Sequence, residues 1–227
     1  MAEVVVGLPA YLGAETVDYY DRGWFRDNGF SPGLGNALDW QTLVGMDPGP
    51  DYHRSFFVFD LTGLTGEVVG ATLELQLAEY PNGWIWAPFS GTRDYTIYGV
   101  GHDPADLMAG YSAGDPTGQA IFDDLGTGAA LGNGTAEWGA HAVAGGVMYI
   151  NLTPDGIADI NAHLGEFYAV GVVLDALDTE KSLQFSLGQE QRHHLLELDV
   201  IPEPSALALL SAASLVLAAV GWRRARR

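Results

Sequence analysis

The segment Pro81-Asn82-Gly83-Trp84-Ile85-Trp86-Ala87-Pro88-Phe89 comes nearest, by residue type, to a ligand surface. Asn-Gly is a turn pair, and in an extended chain Trp84 and Trp86 project from one face. Paired indoles stack on the C–H-rich faces of sugar rings, and Arg93 or Asp94 is near enough in sequence to bond hydroxyls. The same spacing serves to plug an open end of a β-fold. A second aromatic cluster, Tyr19-Tyr20 with Trp24-Phe25, reads as packing.

Carboxylates suggest two further chemistries. A structural Ca²⁺ takes about six to eight oxygen ligands, which acidic loops supply. Asp47-Pro48-Gly49-Pro50-Asp51, His102-Asp103-Pro104-Ala105-Asp106 and Asp123-Asp124 are such loops, with Asp103, Asp106, Asp123 and Asp124 as the candidate ligands. None has the spacing of an EF-hand, and a solvated acidic surface accounts for the same residues. Glycoside hydrolysis asks only for two carboxylates about 5–10 Å apart. With 29 acidic residues some pair meets that by chance, so the sequence gives an enzyme no support.

Other catalytic patterns are missing. The six histidines (53, 102, 141, 163, 193 and 194) form neither HExxH nor an alternating pair, which leaves a catalytic zinc unsupported. There is no G-x-S-x-G elbow around any serine. The glycine-rich run at 126–134 lacks the lysine of a phosphate loop. Without cysteine there are no disulfides, thiolate metal sites or thiol nucleophiles. The expectation is a non-enzyme that needs no cofactor beyond a structural Ca²⁺.

The elements that must position these residues are strands. Short β-branched and aromatic runs recur between Gly, Pro, Asn and Asp clusters. They fall at Arg54–Leu61, Val68–Glu79, Asp94–Val100, Gln119–Leu125, Gly146–Leu152, Phe167–Leu174, Ser182–Leu187 and His194–Val200, with a weaker edge run at Glu3–Val6. Thr72-Leu73-Glu74-Leu75-Gln76-Leu77 alternates cleanly and puts the three leucines on one face, as Leu196-Glu197-Leu198-Asp199-Val200 does for its apolar residues. Phe57 and Phe59 face a core, and Asp60 ends their strand in a turn. One helix is marked by Thr153 as cap, Pro154 at the first position and Asp155 in the first turn, with Ile157, Ile160 and Leu164 on its inner face. Residues 126–145 read as a long Gly/Ala loop with a short strand near 137–143. The fold expected is all-β: a jelly-roll-like β-sandwich over residues 1–201 with one short helix.

Charge excludes one class of partner. The 227 residues carry a net charge of −19, and residues 1–204 alone hold 6 cations against 29 acids, a net of −23. No Lys or Arg occurs between 94 and 180. Nucleic-acid binding needs cations against phosphates, so it is ruled out.

The remaining cations close the chain. Ser205 to Trp222 is uncharged and free of proline, long enough at its lower limit to span a bilayer core of about 30 Å. Arg223, Arg224, Arg226 and Arg227 then supply a cytoplasmic flank under the positive-inside rule. Ahead of the span, Pro202-Glu203-Pro204 makes a stiff extended segment that joins neither sheet nor helix. This order over residues 202–227 resembles the PEP-CTERM sorting signal of exopolysaccharide-producing Gram-negative bacteria. The resemblance implies export, a transient inner-membrane anchor at 205–222, and removal of the tail by an exosortase acting at Pro202, Glu203 and Pro204. Exported chains begin with a basic and then an apolar region, which Met1–Ala10 does not supply; the true start is expected upstream.

A second resemblance covers the first sandwich strands. Phe56 to Leu64 (FFVFDLTGL), followed by Val69 to Leu75 (VGATLEL), is similar to the opening of many exported bacterial β-sandwich modules, some distant members of which bind polysaccharide. Asp123 to Gly128 (DDLGTG), with Asn151-Leu152 and Ala158 to Asn161 (ADIN), is similar to uncharacterised PEP-CTERM proteins. Together these imply a surface or extracellular-matrix protein, structural or adhesive in an exopolysaccharide matrix. The alternatives are a carbohydrate-binding module using Trp84 and Trp86 and, behind it, a secreted glycan-degrading enzyme.

Overall fold

The computed structural model describes residues 13–33, 42–46, 51–77, 91–137, 146–175, 182–185 and 194–201. The leucine alternation builds the first of two antiparallel sheets. Strand β4 (Glu67–Gln76) buries Leu73 and Leu75, followed by Leu77, and pairs with β10 (His194–Ile201), which buries Leu196, Leu198 and Val200. On the far side of β4 lies β7 (Val147–Asn151), whose Met148 and Ile150 point the same way. The first half of β1 (Gly13–Arg26) completes this sheet, pairing Gly13–Asp18 with β10.

β1 then changes sheets. Its register shifts between Tyr19 and Asp21, and from there to Arg26 it pairs with β3 (Tyr52–Asp60). An extra residue bends a strand and lets one chain serve two sheets. The second sheet continues from β3 to β8 (Phe167–Leu174), β5 (Thr92–Gly99) and β6 (Ala130–Glu137). A short β2 (Thr42–Met46) pairs with Tyr52 and His53 and with β9 (Ser182–Phe185). From β3 to β10 the chain alternates between the sheets, apart from β5 and β6, which pair in the second sheet with two helices between them in the chain, and the short β9.

The inner faces of the two sheets share one apolar cluster. Phe57, Phe59, Val170, Val172, Tyr95 and Ile97 from one meet Leu73, Leu75, Leu196, Leu198 and Ile150 from the other. Each fully buried Leu or Phe contributes about 1.5–3 kcal/mol. The second sheet is covered on its outer face too. Phe25, Phe56 and Val58 pack against Leu107, Ile121, Phe122 and Leu125 from α1 (Pro104–Leu107), α2 (Pro116–Asp124) and the turn after it. This explains why β3 reads as a continuous run rather than an alternation. Helix α3 (Pro154–Ala162) closes one end of the sandwich between β4 and β6, capped by Thr153 as expected, with Ile160 buried and Ile157 and Leu164 partly so.

Two sequence expectations are corrected. Gln119–Leu125 is not a strand but most of α2: Asp115 accepts from the backbone N–H groups of Thr117 and Gly118, and Pro116 sits at the first helical position. Ile121, Phe122 and Leu125 then share a helical face, which the same apolar run conceals when read as an extended segment. The loop expected at 126–145 holds strand β6, which begins at Ala130 and ends at Glu137. Its glycines make room for neighbours: a Cβ at Gly132 would meet Ile150 Cγ2 at 3.1 Å, and one at Gly134 would meet the Tyr95 phenol. The aromatic cluster around Trp24 and Phe25 is core, as expected, with both rings buried. Glu3–Val6 and the short strand expected near 137–143 lie outside the described residues beyond Glu137.

A histidine-lined candidate cleft

Arg54 on β3 sets the geometry of the first half of the site. Its guanidinium lies 4.3 Å from the Phe122 ring centroid and donates to the carbonyls of Phe122 (2.7 Å) and Asp123 (3.1 Å). A cation on these last-turn carbonyls pins the C-terminal end of α2. The next residue, Asp124, is thereby held against the loop that leaves β5. One carboxylate oxygen of Asp124 accepts the backbone N–H groups of Gly101 (2.8 Å) and His102 (3.1 Å) and lies 2.7 Å from His102 Nδ1.

The second half comes from the end of α3. Asn161 ties that helix to β4, accepting from the Val68 N–H at 2.9 Å and donating to the Val68 carbonyl at 2.8 Å. His163 follows as the helix C-cap, with Nδ1 2.8 Å from the Asp159 carbonyl and its ring centroid 5.5 Å from that of Tyr168. Burial, with Asp159 nearby, pushes the Tyr168 phenol well above its ordinary range. Gly165, at φ +86°, makes the turn into β8.

Between these two halves lies a cleft of about 320 Å³, lined by Val100 to Pro104, His163, Glu166, Phe167 and Ala169. Its polar side chains are His102, Asp103, His163 and Glu166, and it contains no Lys or Arg. Phe167 is one of the large apolar side chains exposed at the surface, at 36%.

Of the candidate Ca²⁺ ligands, Asp103 and Asp124 are brought to either side of His102. Asp103 caps α1 through the Ala105 N–H at 2.9 Å, and Asp124 is occupied by N–H donors. Asp123 faces Gln119 Nε2 at 3.4 Å, and Asp106 lies exposed in the first turn of α1. Among the described residues no group of three or more His, Asp or Glu is placed to hold a metal. Asp51 pairs with Arg26 at 3.2 Å, and Asp94 accepts from the Thr135 hydroxyl at 2.6 Å. Trp84, Trp86, Pro202, Glu203, Pro204, Arg223, Arg224, Arg226 and Arg227 lie outside the described residues. Among the described residues no helix is long and apolar enough to cross a membrane; the 205–222 span is not among them.

In the sequence His102 stands out only within the acidic loop 102–106 and His163 only as one of six histidines, because neither belongs to a local histidine pair. They are 61 positions apart and meet only through the ends of α2 and α3. The one local signal was the helix marked by Thr153 and Pro154, which ends at His163. No protein-family model matches this chain, and no curated protein matches it.

Proposed function

We propose that this is an exported surface or extracellular-matrix protein delivered by its C-terminal signal through an exosortase, and structural or adhesive in an exopolysaccharide matrix. The observation that carries the reading is the order of residues 202–227: Pro-Glu-Pro, an uncharged apolar span, then four arginines. It begins at the residue after Ile201, the last paired residue of β10. The strand orders β1-β10-β4-β7 and β3-β8-β5-β6 support a jelly roll, in which two four-stranded sheets are interleaved along the chain. The net charge of −19 favours solubility outside the cell and attracts divalent cations that bridge to anionic polysaccharide. If millimolar Ca²⁺ changes neither melting temperature nor association state, the bridging fails.

The test is delivery. The chain, supplied with an export leader in a Gram-negative host that carries an exosortase, is expected at the cell surface without its C-terminal tail. Pro202→Ala with Glu203→Ala is expected to stay in the inner membrane at full length. A wild-type chain that keeps its tail overturns the reading. Glycan binding is the second reading, favoured by the cation-free, hydroxyl-accepting character of the cleft.

A further inference from the structure

We infer that the cleft between His102 and His163 binds a single neutral or amine-bearing sugar ring, with both imidazoles accepting its hydroxyls; this rests on the glycan-binding reading. The argument begins with proton positions. Each Nδ1 faces an oxygen that can only accept: the Asp124 carboxylate at 2.7 Å and the Asp159 backbone carbonyl at 2.8 Å. Each Nδ1 therefore carries a proton, and in the neutral imidazole Nε2 is then the nitrogen able to accept. Two residues far apart in the chain hold the same tautomer on the wall of one cleft.

Charge then selects the ligand. Asp103 and Glu166 are also acceptors, and the cleft has no Lys or Arg to balance them. A phosphate, sulfate or uronate would meet like charge with no donor to receive it. A ring rich in hydroxyl donors, neutral or carrying an ammonium, meets acceptors on every side. Size agrees, since about 320 Å³ is at the small end of small-molecule sites. The half-exposed Phe167 ring, with Val100, Pro104 and Ala169, supplies an apolar wall for the C–H face of a pyranose. The acceptors are also preorganised. Asp124 is fixed by two backbone N–H groups, and the His163 ring packs on the buried Tyr168, so little rotamer freedom remains to be lost on binding.

The experiment follows the imidazole nitrogens of the full chain, in lauryldimethylamine-oxide micelles, by NMR. The probes are methyl glucoside, glucosamine, glucuronate, inorganic phosphate and Zn²⁺. The two uncharged or cationic sugars are expected to shift the Nε2 signals of both His102 and His163, while glucuronate and phosphate leave them unmoved. Phe167→Ala, a surface change that spares the fold, is expected to weaken the sugar at least tenfold, and His163→Ala likewise. Sugar binding that survives both variants overturns the cleft and leaves the glycan reading to Trp84 and Trp86. No sugar binding at all overturns both. Equal binding of glucuronate or phosphate overturns the charge argument, and a response to Zn²⁺ alone replaces the sugar by a metal.

Discussion

Ile201 pairs with Glu67, so β10 stays in its sheet up to the residue immediately before Pro202. β10 also lies between β1 and β4, with partners on both edges. On the proposed reading, a processing enzyme acting at Pro-Glu-Pro would therefore grip a chain whose upstream side is paired in the sheet. Freeing Val200 and Ile201 costs about 2 kcal/mol of ladder hydrogen bonds, which lowers the accessible fraction roughly 30-fold. A short Gly-Ser spacer between Ile201 and Pro202 is expected to speed tail removal at least tenfold, read as the rate of loss of the full-length band. An unchanged rate would mean that processing precedes folding of β10.

Tyr95 lies directly across from Gly134, and its ring fills the space a side chain would take there. Among the described residues its buried hydroxyl has no hydrogen-bond partner. Gly134→Ala is expected to cost about 1–3 kcal/mol through overpacking. Tyr95→Phe keeps the ring and removes an unsatisfied hydroxyl, so it is expected to be neutral or stabilising by up to about 1 kcal/mol. Urea midpoints at constant slope separate the two; a Tyr95→Phe variant that loses stability would show that the hydroxyl has a partner.

Alkali should unfold the protein through its buried phenols. Burial raises Tyr52 from 10.0 to about 12, while its hydroxyl donates to the Leu174 carbonyl at 2.9 Å; Tyr95 and Tyr168 are pushed higher still by burial. The folded state holds these protons where the unfolded chain has released them. Stability is therefore complete below about pH 10 and falls as pH rises towards and past 12, by up to about 1.4 kcal/mol per pH unit per phenol. Urea unfolding across that window measures the slope. Tyr52→Phe is expected to flatten it, and an unaltered slope would remove Tyr52 from the account.

Arg54 holds α2 in place and, through it, the histidine site. Arg54→Met preserves much of the packing on Phe122 but releases the carbonyls of Phe122 and Asp123. The expected loss is about 1.5–3 kcal/mol, as for hydrogen bonds made by a charged group. Amide exchange should accelerate in residues 116–124 before it does in β3 or β8. The His102 Nδ1–H signal should broaden as Asp124 loses its fixed position. Uniform acceleration across the sandwich would mean that α2 and the sheet open as one unit.

Most of the sheet was legible because its strands carry local patterns. Leu73-x-Leu75-x-Leu77 and Leu196-x-Leu198-x-Val200 are half-buried alternations, and β3, β5, β7 and β8 are β-branched or aromatic runs between turn residues. β1 was not legible as a strand. Asp18, Asp21 and Arg22 interrupt its alternation where the chain bulges from one sheet to the other. β6 was hidden by Gly132 and Gly134, residues that mark loops in general but here yield space to Ile150, Leu152 and Tyr95.

The site divides in the same way. The acidic charge, the absence of cations from 94 to 180, the cap and start of α3, and the three-part order of the C-terminus are all readable from the order of residues alone. Each is a property of composition or of neighbours in the chain. That Asp124 engages His102, that Arg54 anchors the helix carrying it, and that His163 faces the same cleft comes from the folded arrangement. Those partners are 22, 68 and 61 residues apart. No local pattern specifies such pairings; they follow from α2 packing on the outer face of the second sheet and α3 closing the end of the sandwich between β4 and β6.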